Sequence, residues 1–410
     1  MSRIRVLLLA EAVTLAHVAR PVALAAGLDR RRFDVHFASA PQFDSVIGDL
    51  PYTRHELASI GPTRFLDALA RGAPLYTEKD LHGYTAEECR LFADIAPDIV
   101  VGDFRLSLAV SARLARIPYA AIANAYWSVD SGRRIPLPEL PLTRALGVRA
   151  AAPIFAAARP FAFALHTLAH NRLRRYHGLP TLGSDLRAVY TDADHLLFAD
   201  PPELAPAHVL SRRARFLGPV LWSPSGAPGW WNDLPEDRPL VYVTLGSSGA
   251  SALLRDVVRA LAEVPVTVLT ASAGAGLPDP LPANVFVSEY LPGDAAARRS
   301  ALVICNGGSP TVQQALAAGR PVLGLPANMD QHLSMWSVVA AGAGTLLRSE
   351  HASPAAVAAA TRELLADTGT HARAKALAHR FATYDAPATF ADAVAEIIRG
   401  GPAQPALTPG

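Results

Sequence analysis

Cysteine, methionine and lysine are scarce in this chain of 410 residues, which holds two, three and two of them. Cys89 and Cys305 are too few for a disulfide framework or a structural zinc site. With Lys79 and Lys375 the only lysines, arginine carries nearly all the positive charge. Charge itself is sparse: 18% of residues, 38 basic against 36 acidic, for a net of +2. That balance removes any electrostatic reason to expect a nucleic acid as partner. No H-E-x-x-H pattern is present, and no metal or other cofactor is expected. Long apolar runs are missing too. The apolar start at 4–10 meets Glu11 and His17 at once, which reads as a buried strand rather than a leader. The stretch 145–170 is interrupted by Arg149, Pro153, Arg159 and Pro160 and falls short of the ~20 apolar residues of a membrane span. Obligate membrane insertion is therefore not expected, while contact through an amphipathic face stays open. What remains is a half-hydrophobic, cytoplasmic protein long enough for two domains of about 150–200 residues.

What is present is an alternation of short apolar runs with helical stretches. The runs at 4–10, 33–38, 98–102 and 119–123 are rich in Val, Ile, Ala and Tyr, and helical composition fills 18–28 and 106–116. Apolar strands separated by helices predict a parallel sheet covered on both faces. The rhythm restarts at 240–245, 266–270, 285–288, 301–305 and 322–325, with a helix over 251–263. Between the two series, 218–239 is too rich in proline and glycine for helix or central strand. The reading is an N-terminal domain over 1–217, a linker over 218–239 and a C-terminal domain over 240–384. A last helix over 385–400, able to cross back to the N-terminal domain, precedes a flexible tail at 401–410. The fold class is α/β: two doubly wound, Rossmann-like parallel-sheet domains facing across a cleft.

In open parallel sheets, ligands bind beyond the carboxyl ends of the strands. Nearly all the distinctive polar and glycine residues fall there. Glu11 to His17 follow the first run, Asp103 follows 98–102, and Gly246-Ser-Ser-Gly249 follows 240–245. Asn306-Gly-Gly-Ser-Pro-Thr311 follows 301–305, and Pro326-Ala-Asn-Met-Asp-Gln331 follows 322–325. Ser309 suits an N-cap and Pro310 a first helical position, so a helix is predicted from Thr311. Gly307 and Gly308 let a ligand approach the backbone, and a helix N-terminus offers free N–H groups to a phosphate or diphosphate.

The C-terminal half resembles the nucleotide-sugar glycosyltransferases of the GT-B fold, family 1-like, which include bacterial natural-product and macrolide-type enzymes. The resemblance rests on an ordered series: the Gly246-Ser-Ser turn, Tyr290-Leu-Pro, Asn306-Gly-Gly-Ser-Pro-Thr311, Ala318-Gly-Arg-Pro, Leu325-Pro-Ala-Asn-Met-Asp-Gln331 and Ala341-Gly-Ala-Gly344. It covers 240–347; the N-terminal half is matched only by its strand rhythm and two residues. It implies that Gly246, Ser247, Gly308, Ser309 and Thr311 hold the diphosphate, that Tyr290 and Leu291 lie by the base, and that Asp330 and Gln331 bond the sugar hydroxyls. Two positions depart from the family. Asn306 replaces the usual phosphate-contacting histidine and brings no cationic character, and Gln314 replaces the usual ribose-gripping glutamate and loses its charge. In the N-terminal half, His17 is similar to the family's general base and Asp103 to the aspartate that orients it. Such a base removes a proton from a hydroxyl as it attacks, and the carboxylate fixes its tautomer.

The resemblance therefore implies an inverting O-glycosyltransferase that takes a sugar from a UDP- or dTDP-linked donor to a hydrophobic small molecule, with 150–168 lining an apolar pocket. Two other readings share the architecture: a nucleotide-sugar-binding or auxiliary protein that has lost its chemistry, and a sugar-nucleotide epimerase.

Overall fold

The leucines of the first apolar run explain the fold locally. Leu7, Leu8 and Leu9 are all fully buried, which requires cover on both faces of their strand. The computed structural model, which describes residues 3–132, 134–205, 213–246, 251–272, 274 and 276–400, supplies that cover. Leu8 packs with Val18, Leu24, Phe390 and Val394 on one face. Leu7 and Leu9 pack with Phe92, Leu108 and Tyr119 on the other.

Two compact units divide the chain. The first holds β1 (Ile4–Ala10), β2 (Phe33–Ser39), β3 (Thr53–Glu56), β4 (Ile99–Asp103), β5 (Tyr119–Ala123), β6 (His195–Phe198) and β7 (Ala214–Phe216). They form one sheet in the order β3-β2-β1-β4-β5-β6-β7, with every neighbouring pair parallel. The second unit holds β8 (Leu240–Thr244), β9 (Thr267–Ala271), β10 (Val285–Ser288), β11 (Leu302–Cys305), β12 (Val322–Gly324) and β13 (Gly344–Leu346). Their order is β10-β9-β8-β11-β12-β13, again all parallel. The expected doubly wound α/β class holds for both units.

The units are not continuous in sequence. The first takes the chain through 133, then 152–220, then everything from 385; the second takes 134–151 and 221–384. Sequence order had put 134–151 in the N-terminal domain. The structure ties that segment to the second unit through Glu139 N–H to Ala327 O at 2.8 Å, Thr143 Oγ1–H to Glu350 Oε2 at 2.7 Å, and Arg348 Nη1–H to Leu137 O at 2.9 Å. Most of the proline-rich stretch read as a linker is likewise built into the second unit, where Trp230 Nε1–H donates to Val287 O and its ring packs on Phe286. The last helix, Ala386–Gly400, packs in the first unit against the helix Leu15–Ala25. A side chain on Gly27 would strike Pro387 O at 2.2 Å, so glycine sets how closely these helices approach.

One element departs from the interrupted apolar stretch expected at 145–170. A helix runs over Pro141–Tyr176, through Pro153 and Pro160, and its break falls at Gly147 (φ 73°, ψ 161°). By length and composition it is long and apolar enough to cross a membrane, and little of its most apolar part is buried.

Candidate functional site

Each sheet reverses its winding once, at the point beyond whose strand ends open α/β sheets bind their ligands. In the first unit the reversal lies between β1 and β4, where Ala10 registers with Asp103. Two buried carboxylates meet there, and Glu11 N–H donates to Asp103 O at 3.1 Å. Their side chains serve different ends. Glu11 is locked in the fold: its Oε2 accepts from Arg105 Nη1–H at 2.9 Å, and its Oε1 accepts from Ser59 Oγ–H at 2.6 Å and Tyr84 O–H at 3.1 Å. Asp103 reaches His17 instead, with Oδ1 at 2.8 Å from Nδ1.

His17 is the third residue of the helix that follows β1, and its side chain is 18% exposed while that of Asp103 is fully buried. An ionised carboxylate only accepts, so a 2.8 Å contact places the proton on Nδ1 and leaves Nε2 as the basic nitrogen. Behind the pair stands Arg20, one helical turn from His17. Its Nε–H donates to Asp103 Oδ2 at 2.8 Å and its Nη2–H to Oδ1 at 2.6 Å. The same Nη2 lies 3.1 Å from His17 Nδ1. The chain of contacts continues inward: Arg20 Nη1–H to Asn124 Oδ1 at 2.9 Å, and Asn124 Nδ2–H to Asp200 Oδ1 at 2.9 Å. Burial works against the Arg20 charge, but Asp103 outweighs it and holds the guanidinium above its ordinary pKa.

A chain of aromatic rings leads away from the imidazole. Phe104 stacks on it at 4.6 Å and 9°. To do so Phe104 takes φ +56°, a conformation a bulky residue adopts only at a cost of about 1–3 kcal/mol. Tyr190 meets the edge of Phe104 at 5.4 Å, Trp127 meets Tyr190 at 4.8 Å, and Phe65 completes the group. None of these rings, nor Arg20, Asn124 or Asp200, was picked out from sequence. The rings are far apart along the chain. Arg20 had one available signal, its i+3 spacing from His17 on a helix.

In the second unit the reversal lies between β8 and β11, and three loops of predicted donor residues follow β8, β11 and β12, which are adjacent. Gly246, at φ +63°, turns the chain after β8. A side chain there would meet Asn306 Nδ2 at 3.2 Å, so Asn306 sits against this turn. Asn306 is buried and its Oδ1 accepts the Gly308 N–H at 3.0 Å. Gly307 takes φ +82°, and a Cβ there would lie 2.5 Å from Met335 Cγ. Glycine is required at that position both for its backbone and for its space.

The helix after β11 starts at Ser309, with Gly308 as N-cap and Pro310 in its first turn. The start predicted at Thr311 with Ser309 as cap is thus corrected by two residues: the buried Ser309 hydroxyl accepts from Gln313 Nε2–H at 3.1 Å within the helix. Thr311 is half-buried in the first turn. Gln314 donates from Nε2 to Trp222 O at 2.6 Å and to Ser223 Oγ at 3.1 Å, which anchors the start of the 221–239 segment. Gln331 sits in a capping box with Asn328. Its Oε1 accepts from the N–H of Ala327 at 2.9 Å and of Asn328 at 3.3 Å, which shapes the loop presenting Asp330. Tyr290 and Leu291 follow β10 at the sheet edge, Tyr290 exposed and Leu291 buried. Ser247 lies outside the described residues.

Buried Cys305 closes β11, and burial pushes its thiol up to about 12, a structural sulfur rather than a nucleophile. Asp192 and Asp194 have a two-residue spacing that the sequence reading passed over. Asp192 pairs with Arg113 at 2.8 Å and with Arg174, and Asp194 accepts the Tyr119 N–H at 3.1 Å.

Comparisons with known proteins bear on the fold and the family. Residues 251–397 match the family described as erythromycin biosynthesis protein CIII-like, C-terminal domain. Over 380 residues the chain is 52% identical to a PGL/p-HBAD biosynthesis glycosyltransferase of Mycobacterium tuberculosis, covering 92% of this chain and 89% of that one. It is 51% identical over 380 residues to a PGL/p-HBAD biosynthesis rhamnosyltransferase of Mycobacterium bovis, covering 92% and 84%. The crystal structure of the glycotransferase of kitacinnamycin shares the fold, with a TM-score of 0.72 at 20% identity over 97% of this chain and 99% of that one. Alike in half its residues to the mycobacterial enzymes over nearly its whole length, and sharing this two-sheet architecture, the chain belongs to the natural-product type of GT-B glycosyltransferases.

Proposed function

We propose that this glycosyltransferase works with inversion on a hydroxyl of a hydrophobic acceptor, with His17 as general base and Asp103 orienting it. The acceptor oxygen attacks the anomeric carbon as its proton passes to His17 Nε2. The bond from that carbon to the diphosphate breaks on the opposite side, and the nucleoside diphosphate leaves with the electron pair. The 2.8 Å contact between His17 and Asp103 at the winding reversal of the first sheet carries this reading. A positioned base of this kind contributes roughly 10²–10⁴-fold.

The donor, a UDP- or dTDP-linked sugar, binds through its diphosphate to the N–H groups of the Gly246 turn and the Gly308 helix start, with Asp330 toward the sugar. Backbone dipoles then stabilise the leaving group, and the reading calls for no metal. The rhamnosyltransferase relative supports a deoxyhexose as the sugar, and the shared PGL/p-HBAD naming of both relatives supports the same product class. Phe104 stacked on the base, with Tyr190 and Trp127 linked to it ring by ring, favours an acceptor that carries an aromatic ring.

His17→Ala is the test. Transfer should fall by roughly 10²–10⁴-fold while calorimetric affinity for dTDP and UDP stays as in wild type. Proton NMR of the product should show the anomeric configuration opposite to the donor's. Unchanged turnover in the variant, or a retained configuration, would refute the mechanism.

A further inference from the structure

The helix Pro141–Tyr176 is turned inside out. Its inward face carries Phe163, Thr167, His170, Leu173 and Arg174, all buried, three of them polar. Thr167 Oγ1–H donates to Gly183 O at 3.1 Å, His166 Nε2 lies 3.1 Å from Gly72 O, and Arg174 pairs with Asp192. The outward face carries Ile154 (46% exposed), Phe161 (79%), Leu165 (55%) and Leu168 (38%), with Tyr176 (74%) at the end. Steps of seven, four and three residues keep these side chains on one stripe, about 21 Å long from 154 to 168.

Charge on this helix has one sign. From 148 to 176 it holds Arg149, Arg159, Arg172, Arg174 and Arg175 and no aspartate or glutamate. Two acids from other segments answer these arginines: Glu78 lies 3.5 Å from Arg172, and Asp185 interacts electrostatically with Arg159. An exposed apolar stripe on a helix whose own charges are all arginines, ending in a tyrosine, matches a helix lying in the interface of an anionic bilayer. Self-association fits less well, because the helix of a second copy brings arginines and no carboxylate of its own to the same face. Spanning is excluded by the inward face, whose hydrogen bonds and ion pair fix it to the first unit.

We infer that the helix face of Ile154, Phe161, Leu165 and Leu168, with Arg172 and Arg175 at its C-terminal end, docks this enzyme on an anionic lipid bilayer surface. The stripe sinks into the acyl boundary and the guanidinium groups meet the lipid phosphates.

Vesicle flotation with the full chain tests this. The protein should float with vesicles of phosphatidylcholine and phosphatidylglycerol at about 7:3, and roughly tenfold less with phosphatidylcholine alone. The Phe161→Glu/Leu165→Glu double variant should stay at the bottom of the gradient. Both positions are exposed, so its thermal melt should match wild type. Arg172→Gln/Arg175→Gln should lose the preference for phosphatidylglycerol while keeping the same melt. The inference is overturned if wild type does not float with either vesicle, or if both variants float as it does. It is overturned equally if light scattering shows a wild-type dimer that the glutamate variant makes monomeric without any change in flotation.

Discussion

Arg20 grips Asp103 with two donors, Nε–H to Oδ2 at 2.8 Å and Nη2–H to Oδ1 at 2.6 Å, leaving His17 to share an oxygen already claimed. All three side chains are largely buried, so the Arg20–Asp103 pair behaves as one fixed plate against which the imidazole is set. Removing Arg20 strands a buried carboxylate, a change that costs about 3–5 kcal/mol. Arg20→Met should therefore lower the melting temperature of the first unit by ten degrees or so, taking about 2–4 °C per kcal/mol for a domain of this size. Calorimetric scans check it; an unchanged transition would mean that the fork contributes little.

Asp103→Asn separates orientation from stability. The amide offers Nδ1–H at most one acceptor and sets an N–H donor against the donors of Arg20. Without a carboxylate to hold the tautomer, turnover should fall by roughly 10³–10⁴-fold. Donor affinity should stay the same, because Asp103 belongs to the first unit and the donor loops to the second. Steady-state kinetics beside calorimetry with dTDP decide the matter. A matching loss of donor binding would show that Asp103 acts through the fold and not through His17.

Gln314 was expected to touch the ribose, and the structure gives its amide nitrogen to Trp222 O and Ser223 Oγ. Gln314→Glu, which restores the residue usual in the resembling family, would then turn a donor into a carboxylate facing a carbonyl. The loss should be about 1–3 kcal/mol of stability, since a buried polar group is left unmatched. Thermal melts with and without UDP separate the two roles. A stable variant with tighter UDP binding would return Gln314 to the ribose.

How far the sequence reaches follows from these residues. Ile4–Ala10 and Tyr119–Ala123 are strands at the limits the apolar runs predict, because burial on both faces writes a continuous signal, and the edge strand Val285–Ser288 matches its run through its β-branched and aromatic residues. Thr53–Glu56, Ala214–Phe216 and Gly344–Leu346 escaped, being short edge strands with three or four residues and little apolar character. The placement of 134–151 with the second unit escaped for another reason: its ties to Ala327 and Glu350 span some two hundred positions, and local composition holds no trace of them. At the site, His17 and Asp103 were legible because strand ends collect ligand-facing groups. Arg20, Asn124 and Asp200 were not, since a buried relay is defined by partners and not by spacing.

Gly307 offers a prediction on the donor side. Its φ of +82° and the 2.5 Å approach of Met335 Cγ to its missing Cβ leave no room for alanine without moving the 329–340 helix or the loop. Gly307→Ala should cost about 1–3 kcal/mol in the second unit from backbone strain alone. It should also weaken nucleoside diphosphate binding, because the start of the 309–317 helix shifts with it. Calorimetric titration with dTDP reads this directly, and wild-type affinity in the variant would remove the glycine pair from the donor site.

The last expectation concerns acid. Burial holds His170 in the first unit and His332 in the second down at about 4, against an ordinary value near 6.5, and Arg348 adds to the effect at His332. Both rings are neutral in the fold, so between pH 6.5 and 4 the unfolded chain binds protons that the folded chain refuses. Stability is therefore complete above about pH 6.5 and declines as the pH falls toward 4, by up to about 3 kcal/mol for each ring. His170→Leu should flatten that decline in the transition of the first unit, and His332→Leu in that of the second. Melting curves at pH 7, 6 and 5 on the three proteins check both. A wild-type melting temperature indifferent to pH over this window, or slopes the leucine variants leave untouched, would show that these histidines find a proton in the folded state.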